Sequence, residues 1–190
     1  MADHGQSALA EHRALLVRVE GLLHKVEEIA RALIETYERG GRLLTFGNGG
    51  SAADAQHLAA ELVGRYKRER RPLAATALNV DPSVVTCIGN DYGFDELFAR
   101  QVRALARPGD MAIGFTTSGR SPNVVRGLAA AREQGAQTVL FGGGDDNSPA
   151  AAHADHALVV PSTATARVQE MHLLLLHLVI EPVDAWAAGA

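Results

Sequence analysis

After about residue 40, short apolar runs alternate with helical segments about five times, and this alternation determines the expected fold more than any other feature of the chain. The runs that predict strands lie at residues 43–46, 72–78, 111–115, 138–141 and 157–160. Strands that alternate with helices form a parallel sheet, and the helices cover both of its faces. We therefore predict an α/β fold, a three-layer sandwich around a five-stranded parallel sheet.

Apolar residues at helical spacing predict the segments that connect these strands. Helices are expected at about residues 51–63, 95–106 and 124–134, and a last one from 165 onward, whereas residues 82–88 are ambiguous. Pro182 is expected to end the last helix or to kink it, because proline has no backbone N–H to donate.

A long amphipathic helix is predicted before the first strand. Apolar residues recur at helical spacing over residues 8–39, and Gly40 and Gly41 end the pattern. The segment is long for one globular helix, so we expect it either to be bent or to pack against another subunit. A chain of 190 residues fits one core. We predict one domain over residues 1–190, with residues 1–40 packing in an oligomer and residues 41–190 forming the α/β core.

The composition excludes several classes of protein. The chain carries 18 Lys and Arg against 22 Asp and Glu, a formal charge of -4, whereas nucleic-acid binders usually present a net basic face. No apolar run reaches the roughly 18 residues that would span a bilayer. The first residues lack the basic and apolar regions of a signal peptide. We expect a cytoplasmic protein without a nucleic-acid or membrane partner.

We expect ordinary structural roles for Cys87 and for the charged run at residues 67–71. Cys87 is the only cysteine, which excludes an internal disulfide, and we expect it to be a small buried side chain rather than a nucleophile. The charged run at residues 67–71 is expected to be a solvated loop, although its positive charge could attract an anionic substrate.

Two polar loops follow the first and third predicted strands, where sheets of this kind bind their ligands. Residues 47–51 are rich in glycine, which lets the backbone approach a ligand closely. Residues 116–123 precede a helix, whose N-terminal N–H groups suit a phosphate, and they offer the hydroxyl groups of Thr116, Thr117, Ser118 and Ser121. Neither loop has the spacing of a dinucleotide-binding or Walker loop. Ser118 and Ser121 could merely cap a helix, but the two loops together favour a sugar-phosphate site.

A second group of polar residues lies on two predicted helices. His57 and Glu61 are four residues apart and share one helical face. On the last helix, Gln169 and His177 differ by roughly 80° in phase, which is compatible with one broad face. Histidine and glutamate from two helices could hold a divalent ion. Spacing alone does not choose between His172 and His177, and an ordinary helix histidine remains the alternative for His57.

Four motifs resemble sugar-isomerase (SIS) domains and, within that superfamily, the phosphoheptose isomerase family. They are Gly-Asn-Gly-Gly-Ser-Ala-Ala-Asp-Ala-Gln-His at 47–57, Asn-Asp-Tyr-Gly at 90–93, Thr-Ser-Gly-Arg-Ser-Pro-Asn at 117–123 and Ala-Arg-Val-Gln-Glu-Met-His at 166–172. The similarity runs from the N-terminal helix to about residue 184. It implies a flavodoxin-like SIS domain in a homotetramer, with active sites near the subunit boundaries. It also implies conversion of sedoheptulose 7-phosphate to D-glycero-D-manno-heptose 7-phosphate, which begins the synthesis of nucleotide-activated heptoses for lipopolysaccharide and other glycans.

The resemblance also implies roles for individual residues. The implied zinc ligands, for one ion per subunit, are His57, Glu61, Gln169 and His177; other divalent ions also suit this set. Ser51, Thr116, Thr117, Ser118 and Ser121 match the phosphate binders. Asn48, Asn90 and Asp91 match sugar contacts, Gly49, Gly50, Glu61 and Gln169 are further expected substrate contacts, and Arg65 matches a basic residue near the site. Glu61 and His177 match the acid/base pair.

Two other functions stay open at this point. Some non-catalytic relatives of the family bind a replication initiator protein, and those tend to lack the catalytic glutamate, the last metal histidine and the Asp-Tyr-Gly segment. Glu61, His177 and residues 91–93 retain all three features, which favours an enzyme. An isomerase of another sugar phosphate, such as an amino sugar, is the second alternative, because nothing in the sequence determines the length of the sugar.

Overall fold

The computed structural model of the chain describes residues 2–189, and a five-stranded parallel sheet lies at its centre. The strands are β1 (Leu43–Gly47), β2 (Ala75–Ala77), β3 (Met111–Thr116), β4 (Gln137–Gly143) and β5 (His156–Val160). Their order across the sheet is β2-β1-β3-β4-β5, and every neighbouring pair is parallel. The predicted α/β fold is confirmed, although β2 is shorter than the run at residues 72–78 suggested.

The helices follow the predicted alternation. Within the described residues they are α1 (Ala2–Val19), α2 (Leu23–Glu38), α3 (Gly50–Val63), α4 (Pro82–Tyr92), α5 (Leu97–Leu105), α6 (Pro122–Glu133) and α7 (Thr165–Ala187). The ambiguous segment at residues 82–88 is the start of α4. It is helical because the Asp81 carboxylate accepts hydrogen bonds from the backbone N–H groups of Ser83 and Val84, and Pro82 occupies the first turn.

The long N-terminal segment is two helices rather than one. A 3₁₀ turn at Glu20–Leu22 separates α1 from α2, so the expected interruption is present. On α2, Val26, Ile29, Leu33 and Tyr37 are buried at helical spacing and join the core that includes α7. Leu15 and Val19 of α1 are buried in the same core, so the described part of this segment packs on the domain through both helices.

Two apolar cores lie on opposite faces of the sheet, because successive strand side chains point to opposite sides. On one face, Leu43, Ile113 and Phe115 pack against residues of α1, α2, α3 and α7. On the other face, Leu44 and Phe46 pack against residues of α4, α5 and α6. The three predicted layers are present, and α3 and α6, which follow the two polar loops, lie on opposite faces.

One expectation from the sequence is wrong, and one alternative is removed. Pro182 does not end α7, which continues to Ala187, and Val179, Ile180 and Val183 around it are fully buried in the core. The expectation for Cys87 is wrong: it is exposed rather than buried, and α4 packs on the core through Ile88 and the partly buried Val84 and Val85. None of the described helices combines the length and apolar composition needed to cross a membrane.

Candidate active site

The strand order reverses direction between β1 and β3, and the two polar loops leave the sheet there. The loop after β1 leads into α3 on one face, and the loop after β3 leads into α6 on the other. Asn48 and Asn123 join the loops by two reciprocal amide hydrogen bonds of 2.8 Å each. Ligands bind at such switch points, so the structure places the two loops where the sequence predicted a site.

Two glycines allow the backbone to close around this point. Gly49 has a φ of 57° immediately before α3, a conformation that residues with a Cβ rarely adopt. A Cβ on Gly50 would lie 2.5 Å from the side-chain nitrogen of Gln169. The Gln169 amide on α7 therefore lies directly against the first turn of α3.

A pocket of about 260 Å³ opens between the loops. Its lining consists of Asn48, Gly49, Gly50, Ser51, Phe115, Thr116, Thr117, Ser121, Thr165 and Gln169. Eight of these ten residues are among the substrate contacts expected from the sequence; Phe115 and Thr165 are the additions. The pocket is bounded by the N-termini of α3 and α6, whose first N–H groups favour an anion.

The hydroxyl groups expected to bind phosphate lie close together. The Thr116 hydroxyl oxygen is 3.1 Å from that of Ser121 and 3.5 Å from that of Ser118. The Ser121 side chain makes no capping hydrogen bond to α6, so the alternative interpretation as a helix cap does not hold for it. Ser118 accepts a hydrogen bond from the backbone N–H of Arg120 and lines an adjoining pocket of about 410 Å³ with Thr117 and Thr165.

A second cluster joins α3 and α7. His57, Glu61 and His177 bring one ligand atom each to within 4.8 Å of one another. The His57 Nε2 atom lies 3.1 Å from the Glu61 carboxylate, and the rings of His57 and His177 meet edge to face at 5.0 Å. All three residues are half-buried. Two imidazoles and one carboxylate are a donor set that divalent transition metals accept, so these residues could hold such an ion.

The surroundings of His177 favour its neutral form. Burial, followed by the neighbouring His57, lowers the pKa of His177, while the charge of Glu61 opposes the shift. A neutral imidazole is the form that binds a metal or accepts a proton. The ring of Tyr66 stacks on that of His177 at 5.5 Å. Sequence pattern does not predict this contact, because Tyr66 lies in the loop after α3.

The structure resolves the alternative between the two histidines of α7. His172 is fully buried between Phe115 and Phe141, and its Nε2–H donates to the carbonyl oxygen of Gly142 at 2.9 Å. His177, five residues later, is the histidine that meets His57 and Glu61. His172 therefore belongs to the core.

Gln169 lines the pocket between the loops. It precedes His177 by eight residues on α7, which corresponds to about 12 Å of helix rise. This rise separates the two backbone positions and not the ligand atoms, so Gln169 as a fourth metal ligand stays a prediction. Ser51 and Glu61 are likewise separated by about 15 Å of rise on α3. Within one chain, the pocket thus lies at the start of α3, and His57 and Glu61 lie on its middle and last turns.

Three expected substrate contacts lie outside the pocket. Arg65 is exposed just beyond the end of α3, and Asn90 and Asp91 are exposed at the end of α4, where the Asn90 amide donates to the Asp91 carboxylate at 2.6 Å. None of these three lines the pocket between the loops in the described part of the chain.

Two asparagines with a supporting role were not predicted. Asn123, which is 1% exposed, holds Asn48 across the loops, and the side-chain amide of Asn79 donates to the carbonyl oxygen of Gly47 at 2.7 Å. Asn123 ends one of the quoted motifs, but its partner is 75 residues away in the sequence. Local pattern does not reveal such a pair.

The fold and the loops at its switch point define the class of the protein, an α/β domain suited to a phosphorylated ligand. The SIS domain family matches residues 9–143. A protein of Paramagnetospirillum magneticum called phosphoheptose isomerase is 49% identical over 183 residues, which cover 96% of this chain and 95% of its own length. A protein of the same name from Aquifex aeolicus is 50% identical over 169 residues, 89% of this chain and 88% of its own.

The solved structure of a phosphoheptose isomerase from Neisseria gonorrhoeae superposes with a TM-score of 0.91 at 40% identity, covering 97% of this chain and 98% of that one. The chain belongs to the SIS-domain family and, within it, to the phosphoheptose isomerases. It is a sugar-phosphate isomerase, which confirms the enzyme predicted from the sequence.

Proposed function

We propose that this enzyme interconverts sedoheptulose 7-phosphate and D-glycero-D-manno-heptose 7-phosphate through an enediol, the first step toward nucleotide-activated heptoses. The observation that carries the proposal is that ligand atoms of His57 and Glu61, on the helix that begins at the hydroxyl-lined pocket, lie within 4.8 Å of His177 on α7. A carboxylate beside two imidazoles can move protons between carbon and oxygen. The curated relatives named phosphoheptose isomerase support the choice of sugar.

In this proposal the pocket between the loops holds the phosphate end of the sugar. The proposed phosphate contacts are Ser51, Thr116, Thr117, Ser118 and Ser121, and the proposed sugar contacts are Asn48, Gly49, Gly50, Asn90, Asp91 and Gln169, with Arg65 nearby. The hydroxyl groups and helix N-termini supply donors for an anion. Binding energy from the remote phosphate then holds the reacting carbons in register, which lowers the barrier to proton transfer.

The proposed chemistry requires a proton to leave C1 and one to arrive at C2. The Glu61 carboxylate takes the C1 proton, the electron pair forms the C1–C2 double bond of the enediol, and the same carboxylic acid returns a proton to C2. His177, neutral because its pKa is lowered mainly by burial, relays the proton between the two oxygens. A zinc ion held by His57, Glu61 and His177 would supply a Lewis acid for the developing oxyanion.

Gln169 was expected both as a metal ligand and as a substrate contact. Its amide lies against Gly50, at the pocket. We propose that Gln169 contacts the substrate there and that it completes the ligand set of the metal with His57, Glu61 and His177.

We also propose a homotetramer whose active sites lie near subunit boundaries. Leu9 and Val17 of α1 are 61% and 66% exposed, and Leu16 and Leu23 are also exposed, so this segment carries apolar surface that a second copy would cover. The cytoplasm is the proposed location, since sugar phosphates do not cross a bilayer unaided.

An isomerase assay with sedoheptulose 7-phosphate tests the proposal. It is run on the purified protein, on chelator-stripped protein, and on stripped protein with zinc restored. Activity that falls on stripping and returns with zinc supports both the substrate and the metal cluster. Activity that is unchanged after stripping supports the isomerase activity and rejects a role for the metal in it. Inactivity in all three samples rejects this sugar, and a parallel assay with an amino-sugar phosphate then tests the alternative substrate.

A further inference from the structure

A buried arginine closes the end of α3 that carries Glu61. The side chain of Arg70 is fully buried, and its guanidinium donates to the carbonyl oxygens of Glu61 at 2.5 Å, Leu62 at 2.7 Å and Gly64 at 3.1 Å. The last carbonyls of a helix have no partner within the helix itself. Arg70 therefore supplies donors to the turn from which the Glu61 side chain projects. The expectation of a solvated loop at residues 67–71 is wrong for this side chain.

The same guanidinium connects α3 to α7. Its Nε–H donates to the Asp184 carboxylate at 3.3 Å, and the Asp184 side chain is fully buried as well. The second oxygen of Asp184 accepts from the backbone N–H of Arg68 at 3.1 Å. Asp184 lies seven residues after His177, two helical turns along the same helix. One planar group thus contacts both helices that contribute to the cluster.

The loop that Arg70 holds also supports the cluster directly. This loop carries Tyr66, whose ring stacks on His177, and Lys67, whose Nζ atom pairs with Glu181 of α7 at 2.6 Å. One loop therefore contacts the cluster, and Arg70 binds that loop to both α3 and α7.

We propose that Arg70 is a positioning residue that fixes the spacing between the His57–Glu61 pair on α3 and His177 on α7, and thereby sets the affinity for the metal and the turnover. This inference rests on the proposed function of that cluster. Arginine presents five N–H donors in a rigid plane, which allows simultaneous bonds to two helices, whereas the lysine ammonium offers three donors at one point. Arg70 does not line the pocket, so the binding of the phosphate is not its role.

The test uses Arg70→Met and Arg70→Lys in the full chain, with Arg71→Met and Arg71→Lys as matched controls. The Arg71 guanidinium lies over the ring of Trp186, 4.9 Å from its centre, and makes no hydrogen bond to α3 among the described residues. Zinc affinity is measured on stripped protein by competition with a chromogenic chelator. The values of kcat and KM are measured with sedoheptulose 7-phosphate on the zinc-loaded proteins.

We expect Arg70→Met to lower zinc affinity by about 10-fold or more, the range that outer-shell substitutions produce, and to lower kcat with it. Arg70→Lys should recover part of both losses, because one amine can replace some of the donors. KM should stay within about threefold for all variants, since the pocket is intact. The Arg71 variants should match the wild type in zinc affinity and kcat.

Equal zinc affinities and kcat values in the Arg70 and Arg71 series would overturn the inference. So would a lower melting temperature of the metal-free Arg70 variants with unchanged zinc affinity, because that describes stability alone. If Arg70→Met does not fold, Asp184→Asn removes the charge that pairs with Arg70 on α7, and unchanged zinc affinity in that variant rejects the proposal.

A wild type that binds zinc but leaves sedoheptulose 7-phosphate unchanged refutes only the proposed substrate, and the zinc affinities of the variants then decide whether Arg70 is a positioning residue. A wild type that does neither refutes both proposals.

Discussion

Acid should destabilise this protein through one buried histidine, His172. Its ring lies edge-on to Phe115 and Phe141, its Nε2–H donates to the carbonyl oxygen of Gly142, and its Nδ1 atom has no partner among the described residues. Burial lowers the pKa of His172 from 6.5 to about 4, against the opposing effect of the hydrogen bond to Gly142. Protonation therefore favours the unfolded chain, in which this histidine is hydrated.

The expected loss of stability follows from the two pKa values. Above pH 6.5 the ring is neutral in both states and the folded protein has its full stability; as the pH falls, the unfolded chain takes up the proton first. Between pH 7.5 and pH 5.0 this difference removes about 2 kcal/mol from the free energy of unfolding. The loss levels off below pH 4, where the folded state is protonated as well.

The measurement is urea unfolding of metal-free protein at pH 7.5 and pH 5.0, at one protein concentration, for the wild type and for His172→Gln. Glutamine keeps an N–H donor for Gly142 and does not titrate. All other histidines are common to the two proteins, so the difference between their pH dependences isolates His172. The wild type should lose about 2 kcal/mol more than the variant on acidification. The reasoning would be refuted if acidification changed the free energy of unfolding of the two proteins by amounts that agree within about 0.5 kcal/mol.

Three substitutions test the site itself. Glu61→Gln should lower kcat at least about 100-fold without changing the elution volume in size-exclusion chromatography, and a kcat within about tenfold of wild type would remove Glu61 from the chemistry. Ser118→Ala should raise KM several-fold at unchanged kcat, through loss of a phosphate contact; an unaltered KM would mean that the anchor lies elsewhere. Gly50→Ala places a Cβ 2.5 Å from the Gln169 side-chain nitrogen and should raise KM while the melting temperature changes little, because that side chain can swing away. A wild-type KM in Gly50→Ala would separate Gln169 from substrate binding.

Much of the fold was predictable because it depends on local periodicity. The alternation of apolar runs and helices predicted the parallel sheet, and the rule that ligands bind beyond the carboxyl ends of strands directed attention to the loops after β1 and β3. The pairing of His57 with Glu61 was predictable in the same way, since residues four apart on a helix share a face. These inferences need no knowledge of which helix packs on which.

The remaining features depend on long-range packing. His172 and His177 are equivalent candidates in the sequence, and the aromatic rings of β3 and β4 bury only the first. The burial of Arg70 depends on Asp184, 114 residues further along the chain, so its charged neighbours suggested a solvated loop instead. Such partners become visible only when the helices are placed against each other.

The length of α3 sets the distance between the loop at residues 47–51 and Glu61 in the last turn of the helix. Inserting or deleting one residue would shift Glu61 by about 1.5 Å but also turn it by about 100° around the axis, away from His177. Only a change of about one full turn, near 5 Å, would bring Glu61 back to the side of α3 that faces His177. The reach of this site along α3 can therefore change over evolution only in whole turns. Smaller differences in substrate length have to be accommodated by side chains instead.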